Sequence, residues 1–218
     1  YQKVNDALWD HDIKVFAGEK ALEQVVEMQE INTVLTALVG YSGLLPTINA
    51  INNGKNIALA NKETLVVAGE LVTKLAQQKG VNIYPVDSEH SAIFQSLVGD
   101  FDNKIEKIYL TASGGPFRGK TIDELQNVTV KQALNHPNWE MGAKITIDSA
   151  SMMNKGLEVA EAHFLFDVPF DRIETIIHPQ SMFHSFVETV DGEMFNSLAM
   201  SFMVIGLFRS IVKFLYET

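Results

Sequence analysis

The chain has 218 residues, a formal net charge of −10, 46% hydrophobic residues and no cysteine. That length allows one large or two small domains with a real core, and the acidity argues against a nucleic-acid or anionic-membrane surface. Disulfides and thiolate metal sites are excluded, whereas a carboxylate site for a hard cation stays open.

The chain opens on Tyr1, so a processed chain or a fragment is expected. Residues 1–18 are polar, with a short apolar patch from Ile13 to Ala17. Glu19 to Glu30 has helical spacing, with Leu22, Val25 and Val26 facing inward. Thr33 to Val39 reads as a buried strand, and Ser42 to Asn52 as a helix stopped at Asn53-Gly54. Asn56 to Ala60 is a second strand. Asn61 opens a long helix, Glu63 to Gln78, closed by Gly80, and Val81 to Val86 is a third strand. This alternation is the mark of a doubly wound α/β sheet. In such sheets ligands sit beyond the carboxyl ends of the strands. Asn61-Lys62-Glu63 and Asp87-Ser88-Glu89 fall at those ends. No Gly-x-Gly-x-x-Gly fingerprint is present.

After Asp87 the pattern changes. His90 to Val98 is a short helix, and Ile105 to Thr111 a strand running into Ser113-Gly114-Gly115-Pro116. Residues 114–142 hold only short helical pieces, a length that often marks a functional lid. Ile145 to Ile147 reads as a strand turning sharply into a helix. Ile173 to Ile177 and Met182 to Val190 are strands joined by the turn His178-Pro179-Gln180-Ser181, with Asp191-Gly192 after the second. The apolar run Leu198 to Phe208 is too short for a membrane span, which needs about 20 residues.

Several residues suggest chemistry. Asp87 and Glu89 are two apart, so in extended backbone they point the same way and one divalent ion could meet both. They also suit an N-cap with a favourable charge at the helix start. Glu158 offers a third carboxylate. It shares a helix face with Asn154 and Lys155, four and three residues before it. Near that helix start stand Asp148, Ser149 and Ser151, a mixed group fit for a phosphate and a metal, or for a cap and a solvated face. Lys62 begins a helix, where a cation opposes the macrodipole, so a nearby anion is expected. Trp139 in a polar loop is expected to close over something, and Met141 to fill a gap or cover a cofactor ring. His136 and His178 each precede proline and are structural unless other residues join them. Leu157, Ala160, Phe164 and Leu165 are expected to be core.

Six ordered runs then stand side by side: Ala58-Leu-Ala-Asn-Lys-Glu-Thr-Leu-Val66, Pro85-Val-Asp-Ser-Glu-His-Ser-Ala-Ile-Phe94, Ser113-Gly-Gly-Pro-Phe-Arg118, His136-Pro-Asn-Trp-Glu-Met-Gly142, Asp148-Ser-Ala-Ser-Met-Met-Asn-Lys-Gly-Leu-Glu158 and His178-Pro-Gln-Ser181. With them the chain resembles the 1-deoxy-D-xylulose 5-phosphate reductoisomerase family over roughly residues 14–192. That family uses NADPH and a divalent metal, Mn²⁺ or Mg²⁺. It turns 1-deoxy-D-xylulose 5-phosphate into 2-C-methyl-D-erythritol 4-phosphate in non-mevalonate isoprenoid biosynthesis.

The resemblance implies that Asp87, Glu89 and Glu158 are metal ligands, and that Ser88, Lys62 and Glu89 meet the reacting end of the substrate. It implies that Ser113, Ser149, Asn154 and Lys155 hold the phosphate and hydroxyls. From the lid, His136 joins them and Trp139 closes over the substrate. Asn61, Glu63, Met141 and Gly142 fall on the NADPH side.

The implied fold is α/β, the C-terminal part of a Rossmann-like parallel sheet followed by an α+β catalytic domain. Residues 1–86 are expected to be a partial NADPH-binding domain. Residues 87–192 are expected to be a catalytic domain with a lid at 113–142, and 193–218 an apolar tail that does not align. The family's Gly-rich turn and C-terminal helical domain are absent, so an incomplete and weakly active or inactive form is expected. A homodimer in a bacterial cytoplasm is the natural setting, or a plastid or apicoplast, with no nucleic-acid or membrane partner. Two other readings stay open: a metal-dependent sugar-phosphate isomerase without a redox step, and a non-catalytic dimerising module with a relic site.

Overall fold

The computed structural model describes residues 1–198 except 19, 101, 138 and 139. It contains two compact units, the first spanning Tyr1–Tyr84 and the second starting at Pro85.

The first unit opens with helices α1 (Gln2–Ala7) and α2 (Lys20–Val26), then strand β1 (Thr33–Thr36). A 3-10 turn at Gly40–Gly43 leads into α3 (Leu44–Asn52). Strand β2 (Asn56–Leu59), α4 (Lys62–Lys79) and β3 (Ile83–Pro85) complete it. The sheet order is β1-β2-β3, and β1 and β2 run parallel. This is the parallel α/β sheet expected from the alternation of apolar runs and helical periods. Ile57, Leu59, Ile51, Leu65 and Val72 are fully buried, so β2, α3 and α4 supply the core of this unit. Gly80 ends α4 in the left-handed conformation, at φ +67°, where a side chain would be strained. Ala68 breaks the helical dihedrals inside α4, at φ −144° and ψ 34°.

The second unit begins with α5 (Ser88–Ser96) and β4 (Ile105–Ala112). Two one-turn helices follow, α6 (Ile122–Leu125) and α7 (Val130–Ala133), each opened by a capping box, from Thr121 with Glu124 and from Thr129 with Gln132. Then come α8 (Ala143–Ala150), α9 (Met153–Phe166), β5 (Ile173–Ile177), β6 (Phe183–Thr189) and β7 (Met194–Leu198). The sheet order is β5-β4-β6-β7. β4 runs parallel to β5 and antiparallel to β6, and β6 is antiparallel to β7. Helices α5 and α9 cover one face of it. Ile93 and Leu97 from α5 and Ala162 from α9 pack with Ile108, Leu110, Ile173 and Val187 from the strands. Ile108 and Leu110 on β4 obey the period of two that sends alternate side chains to one face.

Four expectations are corrected. Ile145 to Ile147 is helical, within α8, and not a strand. The β-branched Ile-Thr-Ile favours strand by propensity, but local bonds decide for helix. Thr146 Oγ1 donates to the Gly142 carbonyl at 2.8 Å, and Lys144 pairs with Asp148 at 2.7 Å across one turn. Strands β5 and β6 do not pair with each other, because β4 lies between them, so the turn at His178–Ser181 carries the chain across β4. Asp87 and Glu89 do not lie on extended backbone. Asp87 sits at the N-cap position and Glu89 is inside the first turn of α5.

The fourth correction concerns α9. Leu157, Ala160, Phe164 and Leu165 are only half-buried. The buried face carries Lys155, Glu158, Glu161 and Ala162 instead. The helix therefore turns three ionisable groups inward, where pairing must offset their desolvation. In the stretch expected as an unaligned tail, Met194–Leu198 forms β7 against β6 across the Asp191-Gly192 turn. Residues 199–218 lie outside the described residues.

Candidate metal and phosphate site

In the second unit the start of α5 and the first two turns of α9 bring three carboxylates together. One ligand oxygen each from Asp87, Glu89 and Glu158 lies within 4.8 Å of the others. Asp87 makes no side-chain capping bond to α5, which leaves capping an inadequate account of it. Glu89 is fixed by its neighbours. Ser88 Oγ donates to Glu89 Oε2 at 2.7 Å, and Ser185 Oγ on β6 donates to the Glu89 carbonyl at 3.0 Å. On α9, Asn154 Nδ2 donates to Glu158 Oε1 at 2.5 Å, and Lys155 Nζ to Glu158 Oε2. The same ammonium lies 3.3 Å from Glu89 Oε1.

The electrostatics follow from that geometry. Burial pushes the Glu89 carboxyl up, but the Lys155 charge, aided by His184 and Ser88, outweighs it and holds the group well below its ordinary range. Burial would lower the Lys155 ammonium, yet Glu158 and then Glu89 outweigh it, so its pKa is raised and the charge is kept. The site is thus a focus of hard oxygen donors already attracting one cation, the Lys155 ammonium. Three carboxylates fit Mg²⁺ or Mn²⁺, which bind oxygen and keep several positions for water or substrate.

A second group of expected residues lies in the same unit. Ser113, at the end of β4, approaches His136 Nε2 from the lid at 3.3 Å. Partial burial pushes the His136 ring down from its ordinary value, which favours the neutral imidazole. Gly115 holds φ +65°, and a Cβ there would come 2.7 Å from the Ser149 carbonyl oxygen. Only glycine lets the loop approach the end of α8 so closely, and this fixes Ser149 beside the Ser113 loop. Met152 before α9 is also left-handed, at φ 62°, and this sharp corner aims Asn154 and Lys155 back toward the carboxylates. Met141 and Gly142 precede α8, where both carbonyls face Thr146 Oγ1. Trp139 lies outside the described residues.

Asn61, Lys62 and Glu63 belong to the first unit, at the β2–α4 junction. Asn61 and Lys62 are buried. Asn61 Nδ2 donates to the carbonyls of Leu38 at 2.5 Å and Gly40 at 2.7 Å, and to Glu63 Oε2 at 2.9 Å. It therefore ties the loop after β1 to the start of α4. His178 accepts from the Met182 amide at 3.0 Å and stabilises its own turn.

Reading the sequence alone misses three residues at the carboxylates. His184 Nδ1 lies 3.7 Å from Glu89 Oε1. His90 and Glu161 lie behind the cluster, their side chains 3.3 Å apart and both fully buried. Each follows an expected ligand by three residues, His90 after Asp87 and Glu161 after Glu158, so helical spacing alone could have found them.

Known proteins match both units. A family model described as 1-deoxy-D-xylulose 5-phosphate reductoisomerase matches residues 1–69, and one described as the C-terminal domain of that enzyme matches residues 83–166. The reductoisomerase of Clostridium kluyveri is 61% identical over 188 residues, covering 86% of this chain and 49% of the relative. That of Bacteroides fragilis is 61% identical over 200 residues, covering 92% and 52%. A crystal structure of DOX-P reductoisomerase in complex with NADPH, fosmidomycin and magnesium superposes with a TM-score of 0.81 at 45% identity, covering 91% of this chain and 52% of that one. The chain spans about half the length of the curated relatives it matches.

Proposed function

Because the chain belongs to the 1-deoxy-D-xylulose 5-phosphate reductoisomerase family, we propose that it supplies the metal- and substrate-binding part of that enzyme. The reaction is the NADPH-dependent rearrangement and reduction of 1-deoxy-D-xylulose 5-phosphate. The observation that carries the reading is the convergence of Asp87, Glu89 and Glu158 within 4.8 Å. Three hard donors with an ammonium beside them suit a divalent cation next to a phosphorylated sugar.

When bound, the metal supplies Lewis-acid polarisation of the substrate's carbonyl and neighbouring hydroxyl oxygens. The chain's own residues do the rest. Asp87, Glu89 and Glu158 hold the metal. Ser88 and Lys62 are assigned to the reacting end of the substrate. Lys155, Asn154, Ser149 and Ser113 hold phosphate and hydroxyls, and binding energy on that remote group orients the reacting carbons. His136 and Trp139 of the lid exclude water. Asn61, Glu63, Met141 and Gly142 are assigned to the NADPH side, and residues 1–86 to a partial NADPH-binding domain.

The small-molecule partner is a sugar phosphate, and a homodimer is proposed for the assembly. The bacterial relatives support a bacterial cytoplasmic setting. Among the described residues no helix is long and apolar enough to cross a membrane. The test is NADPH oxidation by the protein carrying this segment, with 1-deoxy-D-xylulose 5-phosphate and Mn²⁺. Consumption that stops in Glu158→Gln supports the reading, and absence of substrate-dependent consumption with Mn²⁺ bound contradicts it.

A further inference from the structure

His90 and Glu161 are the most deeply buried ionisable pair described, each at 0% exposure. The His90 ring touches both helices that carry the carboxylates. Its Nε2–H donates to the Glu158 carbonyl at 2.9 Å. Its Nδ1 faces Glu161 Oε2 at 3.3 Å and Asp87 Oδ2 at 3.9 Å. Phe166 lies parallel to the ring, with an interplanar angle of 5° and centroids 6.4 Å apart, an apolar neighbour that makes no polar contact with it. Thus one imidazole donates to the backbone of one carboxylate residue, Glu158, and faces the side chains of two others, Glu161 and Asp87.

Burying such a pair is poor value for stability. Apolar residues of the same volume are often equal or better in that role. The helices already meet through Ile93, Leu97 and Ala162, so α5 and α9 need no ionic brace to pack. The distinctive contact is the one to Asp87. Groups standing behind metal ligands set ligand orientation, and their loss costs about 10- to 100-fold in metal affinity. We propose that His90 and Glu161 form a positioning pair that fixes Asp87 and Glu158 as ligands for the divalent cation. The inference rests on the metal-site reading above.

Asp87, His90 and Glu161 also lie close enough together to suggest a second cation site. The geometry favours positioning. His90 already commits Nε2 to the Glu158 carbonyl, and the pocket is sealed on the His90 and Glu161 sides.

The test is Mn²⁺ titration of the full chain by calorimetry, with the electron paramagnetic resonance spectrum of bound Mn²⁺ as a second readout. Wild type and Glu158→Gln set the baseline. If wild type binds no Mn²⁺, the metal-site reading fails and the proposal falls with it. If wild type binds one Mn²⁺ that Glu158→Gln loses, then Glu161→Gln and His90→Gln are expected to bind about 10- to 100-fold more weakly with an altered spectrum. Phe166→Leu, which removes packing but no polar contact, is expected to lower the melting temperature and leave affinity and spectrum unchanged. Glu161→Gln is nearly isosteric, so it carries the test should His90→Gln fail to fold. Wild-type affinity in folded Glu161→Gln, equal loss of affinity in Phe166→Leu, or two Mn²⁺ per chain would overturn the proposal.

Discussion

The Lys155 ammonium lies 3.3 Å from Glu89 Oε1 while also pairing with Glu158 three residues on, so one cation bridges a carboxylate on α5 and another on α9. The ammonium thereby ties together two of the three carboxylates whose ligand oxygens lie within 4.8 Å of one another. Lys155 is 7% exposed and Glu158 1%, which makes this a desolvated contact rather than a surface pair.

Lys155→Met is expected to leave two buried carboxylates facing each other. Breaking a buried pair by removing one partner costs about 3–5 kcal/mol. Mn²⁺ should restore most of that loss by taking over the same focus, since a ligand that binds only the folded state stabilises it. Urea unfolding with and without saturating Mn²⁺ measures this. An equal loss in both conditions would mean that the ammonium and the metal do not share the site.

The same pair sets a pH dependence. The folded pKa of Glu89 lies below its ordinary value of 4.5. Its contribution is therefore full above 4.5 and is lost as pH falls toward the depressed value. The folded pKa of Lys155 lies above its ordinary value of 10.5, so its contribution is full below 10.5 and is lost as pH rises through the raised value. Metal-free chain should show a flat contribution from this pair between those limits. Urea midpoints followed downward from neutral pH should fall less steeply in Glu89→Gln than in wild type. Parallel acid limbs would contradict the assignment.

Gly115→Ala places a Cβ 2.7 Å from the Ser149 carbonyl oxygen and forces a side chain onto φ +65°. Strain of this kind costs about 1–3 kcal/mol. The end of α8 must also shift, and Ser149 with it. We expect a lower melting temperature together with weaker binding of a phosphonate substrate analogue in the presence of Mn²⁺. Lost stability with unchanged affinity would show that Ser149 does not depend on this approach.

Much of the first unit was legible in the sequence. Asn56 to Ala60 reads as a strand, which the structure has at Asn56–Leu59, and the period of α4 ends on a glycine that the structure finds in the left-handed conformation. Asp191-Gly192 likewise marks the hairpin between β6 and β7. Other features were hidden for physical reasons. Ile145-Thr146-Ile147 carries strand propensity that the Thr146 bond to the Gly142 carbonyl and the Lys144–Asp148 ion pair override. Counting apolar residues on α9 selects Leu157 and Phe164, because no such count expects Lys155, Glu158 and Glu161 to face inward. The insertion of β4 between β5 and β6 depends on pairing distant in sequence. At the site, Asp87 and Glu89 converge through a helix start rather than an extended strand. His90 and Glu161 meet only because α5 and α9 pack together, a contact distant in sequence.

The central claim is that Asp87, Glu89 and Glu158 form one divalent-cation site. Calorimetric titration of Mn²⁺ into the purified chain and into Glu89→Gln tests it most directly. One Mn²⁺ per wild-type chain, weakened at least tenfold by Glu89→Gln, about 1.4 kcal/mol in binding free energy, is the predicted result. Binding unchanged by the substitution, or no binding to a folded wild-type chain, would contradict it.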